Sequence, residues 1–555
     1  MFRAVCLLMV LIAPSLALAG DKAAAEKSVL EERPTLHCLG VRWQIGGDDN
    51  RNARIDVQYR AAGAKVWKQA LDLFRVESQG MRPETRPPEG KTLFAGSVFG
   101  LEPGTEYELR LSLVDPDGGN AVRTLQMTTR SEPRLPDGRK IDVRPGELTA
   151  ALKAAKPGDH LILHAGTYAG PIEIPSGTPQ KPIALLAAGD GPVVLDGRGK
   201  SNVIGCRGLH DVFFEGLTVR NATWGIAVNG GARIVVRRCT IEDIDYAITA
   251  TANTAAQQDF FIGDNTLVGR STWPRTQGIE NRRGVQISGA GHAICYNRIR
   301  GFADGIDTYS TYPCSSIDIY RNEISECTDD GIEMDYSEHN TRCFENRLTN
   351  VFQGISVQPV HGGPVYVFRN AMFNVEVEPF KMHNSPSGAL FFHNTVVKAG
   401  PPTVLMTSEP ASNCVSRNNL FVGTEGQYAF ENEAPMRDCD FDRDGFGGAW
   451  KLFLKWNGER YPTLEDAARR APVYRRAVRV DPATAFRSVR PPKTAKTQLP
   501  IEANDLRLAE RSAAIDAGVP MANVNDDFQG QAPDLGAYEL GQELPHYGPR
   551  PERSK

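Results

Sequence analysis

Apolar and polar residues alternate in short runs along most of the chain, the two-residue period of strands whose side chains point to opposite faces. Between about 200 and 425 these runs recur around an asparagine: Asn265 in GDNTL, Asn297 in CYNRI, Asn322 in YRNEI, Asn346 in FENRL, Asn370 in FRNAM, Asn394 in FHNTV and Asn418 in SRNNL. After a first step of 32 the spacings are 25, 24, 24, 24 and 24 residues. A constant period of that length marks one structural unit stacked on its neighbours. Flanking runs such as SIDIY and VYVFR make the unit a coil of strands rather than a helix pair. Stacked asparagines at a turn can satisfy one another's amides along the stack. The same register reaches back to Cys239 and Gly216, so some nine coils are expected.

Either side of the repeat the pattern changes. Residues 147–156, ELTAALKAAK, place Leu148, Ala151, Leu152 and Ala155 on one helical face, ahead of PGD and GTY segments. This arrangement resembles the N-terminal cap of right-handed parallel β-helix proteins, so the expected fold is all-β, with that solenoid over 141–430. The first coil of a solenoid exposes an apolar end that must be covered. Upstream, RIDVQYR and EYELRLSLV read as strands of a small β-sandwich over 34–131. There LEPGTEY, ending in Tyr107, resembles the corner tyrosine of fibronectin type III domains, with Trp43 as core aromatic. After the repeat, 431–545 reads as a C-terminal cap region with a short helix near 464–471 and a closing DLGAYE segment.

Each coil carries a second strand, and aligning these gives the candidate site. In WGIAVN, YAITAT, RGVQIS, DGIDTY, DGIEMD, QGISVQ and PFKMH, alternation places one apolar residue inside and its neighbours outside. One outward column then reads Ala227, Thr249, Gln286, Asp307, Glu333, Ser356, Lys381, and the other Asn229, Thr251, Ser288, Tyr309, Asp335, Gln358, His383. With coils ~4.8 Å apart, Asp307 and Glu333 stack, and Asp304, Asp329, Asp330 and Asp335 lie close by. So many carboxylates raise one another's pKa or require a counter-cation, and Ca²⁺ suits oxygen ligands. Lys381 falls two coils beyond Glu333, roughly 10 Å away. A metal on a uronate carboxylate and a base on its C5 proton are the requirements of β-elimination.

Asp329-Asp330-Gly331-Ile332-Glu333 resembles the DDGxD calcium segment of family 9 polysaccharide lyases, a pectate lyase group, and Pro379-Phe380-Lys381-Met382 resembles the segment carrying their base lysine. That resemblance implies Asp304, Asp329, Asp330 and Glu333 as metal ligands and Lys381 as the base; the acidic column adds Asp307. The chain departs from the pattern in Glu333, which replaces an aspartate, and in an extra coil before the lysine. A second reading takes Asp304/Asp307 and Asp329/Asp330 as the acid and base of a polygalacturonase-type glycoside hydrolase, whose NTD, DD and GHG segments they resemble, with His361 as the histidine. A third is a non-catalytic carbohydrate-binding or surface protein. Arg283, Tyr309, Asp335, Gln358, His361, His383 and Trp273 are the candidate substrate-binding residues. Trp273 comes from a long insertion, 266–282, that with Arg275, Arg282 and Arg283 reads as a wall of the cleft, able to stack on a sugar and pair with its carboxylate.

Charge and composition narrow the partners. A formal net charge of −4 with mixed signs excludes the basic field that nucleic acid or an anionic membrane requires. Residues 1–19 combine Arg3, an apolar run from Val5 to Ile12 and Ala17-Leu18-Ala19, the pattern of a cleaved signal peptide and too short to span a bilayer. The expectation is a secreted or periplasmic bacterial protein, monomeric, acting on an acidic polysaccharide. Nine cysteines remain after Ala19, an odd number that argues against a complete disulfide framework.

Overall fold

The structure is a computed structural model and describes residues 20–252, 257–403, 405 and 409–551. The expected signal peptide lies outside the described residues. Strands from 139 onward form a right-handed parallel β-helix: two long parallel sheets, of 15 and 17 strands, climb the same coils. Its interior is one apolar column, with Ile294, Ile319, Cys343, Val367 and Phe391 on successive rungs of one wall.

The asparagine repeat is a buried ladder. Asn297 Nδ2 donates to Asn322 Oδ1 at 3.0 Å and to Ile262 O at 2.9 Å. Asn322, Asn346 and Asn370 continue to the next rung at 2.9, 3.0 and 3.0 Å. The next member is Asn419, not Asn418: Asn394 Nδ2 reaches Asn419 Oδ1 at 2.9 Å, and Asn419 ends the ladder on Asp444 at 3.0 Å. Asn418 has the left-handed backbone that precedes each rung, at φ 59°, as Arg321, Glu345, Arg369 and His393 do before theirs. A left-handed non-glycine residue costs about 1–2 kcal/mol. The ladder offsets this by pairing each of its own buried amides with the next rung.

The helix Leu148–Ala154 closes the first coil, burying Leu148 and Leu152, with Ala151 and Ala155 packed against the core. At the other end the coils run on past 430, through Leu420–Glu431 and Gly445–Trp456 to Val478–Val480. The helix Leu464–Arg470, capped by the Thr463 side chain, covers that end with Ala467 buried. The closing segment does a different job from the expected cap. Leu535, Tyr538 and Tyr547 lie along the side of the solenoid on Ala371, Phe373, Val397, Leu420 and Val422. Those side chains point outward from a lateral strand and need cover as much as the last coil does.

The N-terminal unit begins at Ala24, ten residues before the expected boundary. Two antiparallel four-stranded sheets enclose Trp43, Ile45, Ile55, Val57, Leu109 and Leu111. The Tyr107 hydroxyl accepts from the Glu102 amide at 2.9 Å. This sandwich is docked on a second face of the solenoid. There Tyr320, Phe344 and Phe368 stack in a column with ring spacings of 5.0 and 5.1 Å, and Phe99 of the sandwich lies 5.0 Å from Phe368. Beside them Arg342 Nε meets Asp318 Oδ1 at 2.5 Å and Arg342 Nη1 meets Ser97 Oγ at 3.0 Å, with both charged side chains fully buried. Tail and sandwich thus cover two lateral faces of the middle coils. The third face carries the aligned second strands.

Candidate functional site

The outward column is realised residue by residue. Thr249 pairs with Gln286, Gln286 with Asp307, Asp307 with Glu333, Glu333 with Ser356 and Ser356 with Lys381. A straight strand would turn Asp304 inward with Ile306. Glycine changes this: a Cβ at Gly305 would sit 2.6 Å from Gly331 O, and one at Gly331 would sit 2.9 Å from Gly354 O. Only glycine lets the strands bend at this close coil spacing, and the bend brings Asp304 and Asp330 out beside Glu333. One carboxylate oxygen from each of Asp304, Asp330 and Glu333 then lies within 4.8 Å of the others.

The cations are equally well placed. Lys381 Nζ is 2.9 Å from Asp330 Oδ2, and the Asp330 amide donates to Asp304 Oδ1 at 2.9 Å. Arg283 spans Asp304 at 2.7 Å and Asp307 at 3.2 Å, and Gln286 donates to Asp307 at 2.7 Å. Asp335 accepts from Ser356 Oγ at 2.7 Å and from the Gln358 amide at 2.6 Å. Asp329 faces Arg275 at 3.9 Å, and the Arg275 guanidinium lies 3.6 Å over the Phe352 ring.

Six carboxyls therefore face three cations, and burial sharpens the imbalance. It raises Asp304 to about 7 and Asp335 to about 6, and it lifts Asp330 well above the carboxylate range. Burial, then Asp307 and Asp304, raise Glu333 strongly. For Lys381 burial opposes the charge, but Asp330 and Asp329 outweigh it and hold the ammonium above its ordinary value. Asp330 Oδ1 is buried and accepts no hydrogen bond. A hard cation held by Asp304, Asp330 and Glu333 fits this donor set.

The candidates divide accordingly. Asp304, Asp330, Glu333 and Lys381 come together, with Asp304 also held by Arg283; Asp307 and Asp329 stand outside this group and face Arg283 and Arg275. Arg283, expected on substrate, is committed to Asp304 and Asp307. Tyr309 is exposed, and His383 and Gln358 are half-buried at the rim. Asp335 is buried beneath Ser356 and Gln358. His361 starts a strand of the other sheet and faces Gly80 of the sandwich, because the turn at 359–360 carries the chain off the site face. Trp273 offers no stacking surface to the cleft: it is 3% exposed.

Sequence reasoning set Gln286 in the outward column and Arg275 in the loop beside Trp273 without giving either a carboxylate partner, and it missed Glu378. Glu378 is fully buried, and burial raises it to about 7. Gln286 stood in the outward column already, whereas Arg275 comes from a loop with no periodicity.

Residues 202–360 match the family model described as "Right handed beta helix region". Among solved structures, a family 28 exopolygalacturonase from Yersinia enterocolitica is similar at 11% identity and TM-score 0.32, over 79% of this chain and 97% of that one. An alginate lyase from Paenibacillus sp. str. FPU-7 is similar at 17% identity and TM-score 0.31, over 54% and 95%. No curated protein matches the chain.

Proposed function

We propose that the protein is an exported, calcium-assisted polysaccharide lyase acting on a uronate-containing polysaccharide, with Lys381 as base. The carrying observation is the convergence of Asp304, Asp330 and Glu333 within 4.8 Å, with Lys381 Nζ 2.9 Å from Asp330 on the same face. In β-elimination the base takes the C5 proton, the freed electron pair forms a C4=C5 double bond, and the C4–O bond breaks, its electron pair leaving on the sugar oxygen, which takes up a proton from water. A Ca²⁺ held by Asp304, Asp330 and Glu333 would acidify the C5 proton and, by neutralising Asp330, would release Lys381 from the carboxylates that hold it protonated, as a base requires. Arg283 fixes Asp304 and Asp307, and Ser356 fixes Asp335, so the acidic floor is rigid before substrate arrives.

A glycoside hydrolase is the second reading: burial, then Asp307 and Asp304, shift Glu333 upward, the direction a general acid requires. Digesting pectate, alginate and glycosaminoglycans with and without chelator separates the two. The lyase yields unsaturated uronate absorbance that chelator abolishes. Reducing ends without that absorbance, and indifferent to chelator, would establish the hydrolase and overturn the lyase.

Cation binding also predicts a pH-dependent thermal shift. Asp304 and Asp335 have folded pKa values near 7 and 6, above their ordinary 3.8. Stability tied to their protonated forms is present below about pH 4 and is lost as pH rises through 6 to 7. Without divalent cations the melting temperature should fall between pH 5 and pH 8. Calcium should restore more of it at pH 8 than at pH 5, because it replaces protons already lost. A calcium shift that is equal at both pH values, or absent, would remove the cation from this site.

A further inference from the structure

The open face continues past the acidic patch toward the N-terminal end of the solenoid. Arg283 pairs with Tyr246 and Tyr246 with Trp224, while Gln286 pairs with Thr249 and Thr249 with Ala227. Trp224 and Tyr246 stack with ring centroids 5.6 Å apart and planes at 25°. Among the described residues two aromatic side chains are exposed, Trp224 at 37% and Tyr309 at 38%, and both belong to this face. An indole stacked on one side and bare on the other presents a flat apolar surface to a ligand. Beside Trp224 lies a cavity of about 460 Å³, lined among others by Asn202, Arg207, Asn229, Thr249 and Gln286.

The lining chemistry narrows the occupant. Amide and hydroxyl groups both donate and accept, as sugar hydroxyls do, and an aromatic face suits the C–H face of a pyranose. Arg207 is the one cation among the lining residues, and none of them is acidic. Arg283, at the near end, is already held by Asp304 and Asp307. A run of uronates would bring one carboxylate per sugar to a cleft with a single arginine to meet them. From Glu333 to Ala227 is four coils, roughly 19 Å at ~4.8 Å per coil, which is room for several sugars.

We infer that the Trp224 cavity binds neutral, hydroxyl-rich sugars of a heteropolysaccharide whose uronate lies at Lys381, the glycan running across the coils. The inference rests on the proposed function for the uronate end, and it defines the substrate as mixed rather than a homopolymer of uronate.

Affinity electrophoresis tests it with the full chain in gels containing polygalacturonate, alginate, gellan, xanthan or rhamnogalacturonan. The wild type should be retarded more by at least one polymer that interleaves neutral sugars with uronate than by either homopolymer. Trp224→Ala should weaken that retardation roughly tenfold or more, as loss of an aromatic anchor does, with an unchanged melting temperature. Ala227→Trp, which fills the cavity from an outward position, should do the same. Wild-type preference for the homopolymers, or equal retardation of the wild type and both variants, overturns the inference. Retardation lost in both variants, while the wild type releases no unsaturated uronate, upholds the cavity and overturns the lyase. Absence of wild-type retardation by every polymer overturns both.

Discussion

Lys381→Ala should lower turnover of a uronate polysaccharide by about 10²–10⁴-fold, the range a positioned general base contributes. The same change strands Asp330, whose carboxylate is buried and has Lys381 as its ion-pair partner at 2.9 Å. Lost activity in this variant alone would therefore mix chemistry with structure. Lys381→Arg separates them: a guanidinium keeps a charge beside Asp330 but does not give up its proton near neutral pH. The arginine variant should melt near the wild-type temperature and remain almost as inactive as the alanine variant. Turnover within a factor of two of wild type in Lys381→Arg would remove the residue from the mechanism, whatever the alanine variant shows.

The largest effect on stability is expected at Arg342→Met. Arg342 and Asp318 are neighbours on adjacent coils, both fully buried between solenoid and sandwich. Removing one partner of such a pair leaves an uncompensated charge in the interface and costs about 3–5 kcal/mol. Denaturant unfolding should register that loss, with the sandwich released first because the charge lies beneath it. Replacing both residues, Asp318→Leu with Arg342→Met, should recover most of the loss, since an apolar pair of similar volume needs no counter-ion. Failure of the double variant to regain stability would mean that the pair acts through its bond to Ser97, not through its charge.

These two sites differ in how far the sequence disclosed them. Lys381 could be placed because the second strands of successive coils can be aligned on their alternation, although the steps between them vary. In that alignment Gln286, Asp307, Glu333, Ser356 and Lys381 had to share a column, and they do. The Arg342–Asp318 pair lies in the same repeat, but nothing local shows that a separate sandwich will bury it. The ladder slipped by one place at its end for a related reason. In SRNNL two asparagines are adjacent, and only the left-handed backbone at Asn418 shows that Asn419 is the one turned inward.

The sequence by itself determined the solenoid and the stacking of outward side chains along it, because period and alternation are properties of consecutive residues and survive without long-range information. Tertiary structure decided how the carboxylates share Lys381, Arg283 and Arg275, how the sandwich and tail leave one lateral face for the site, and that Trp273 is buried while Trp224 faces solvent. Those outcomes depend on loops and on segments hundreds of residues apart, where neither spacing nor alternation says which neighbour a side chain will find.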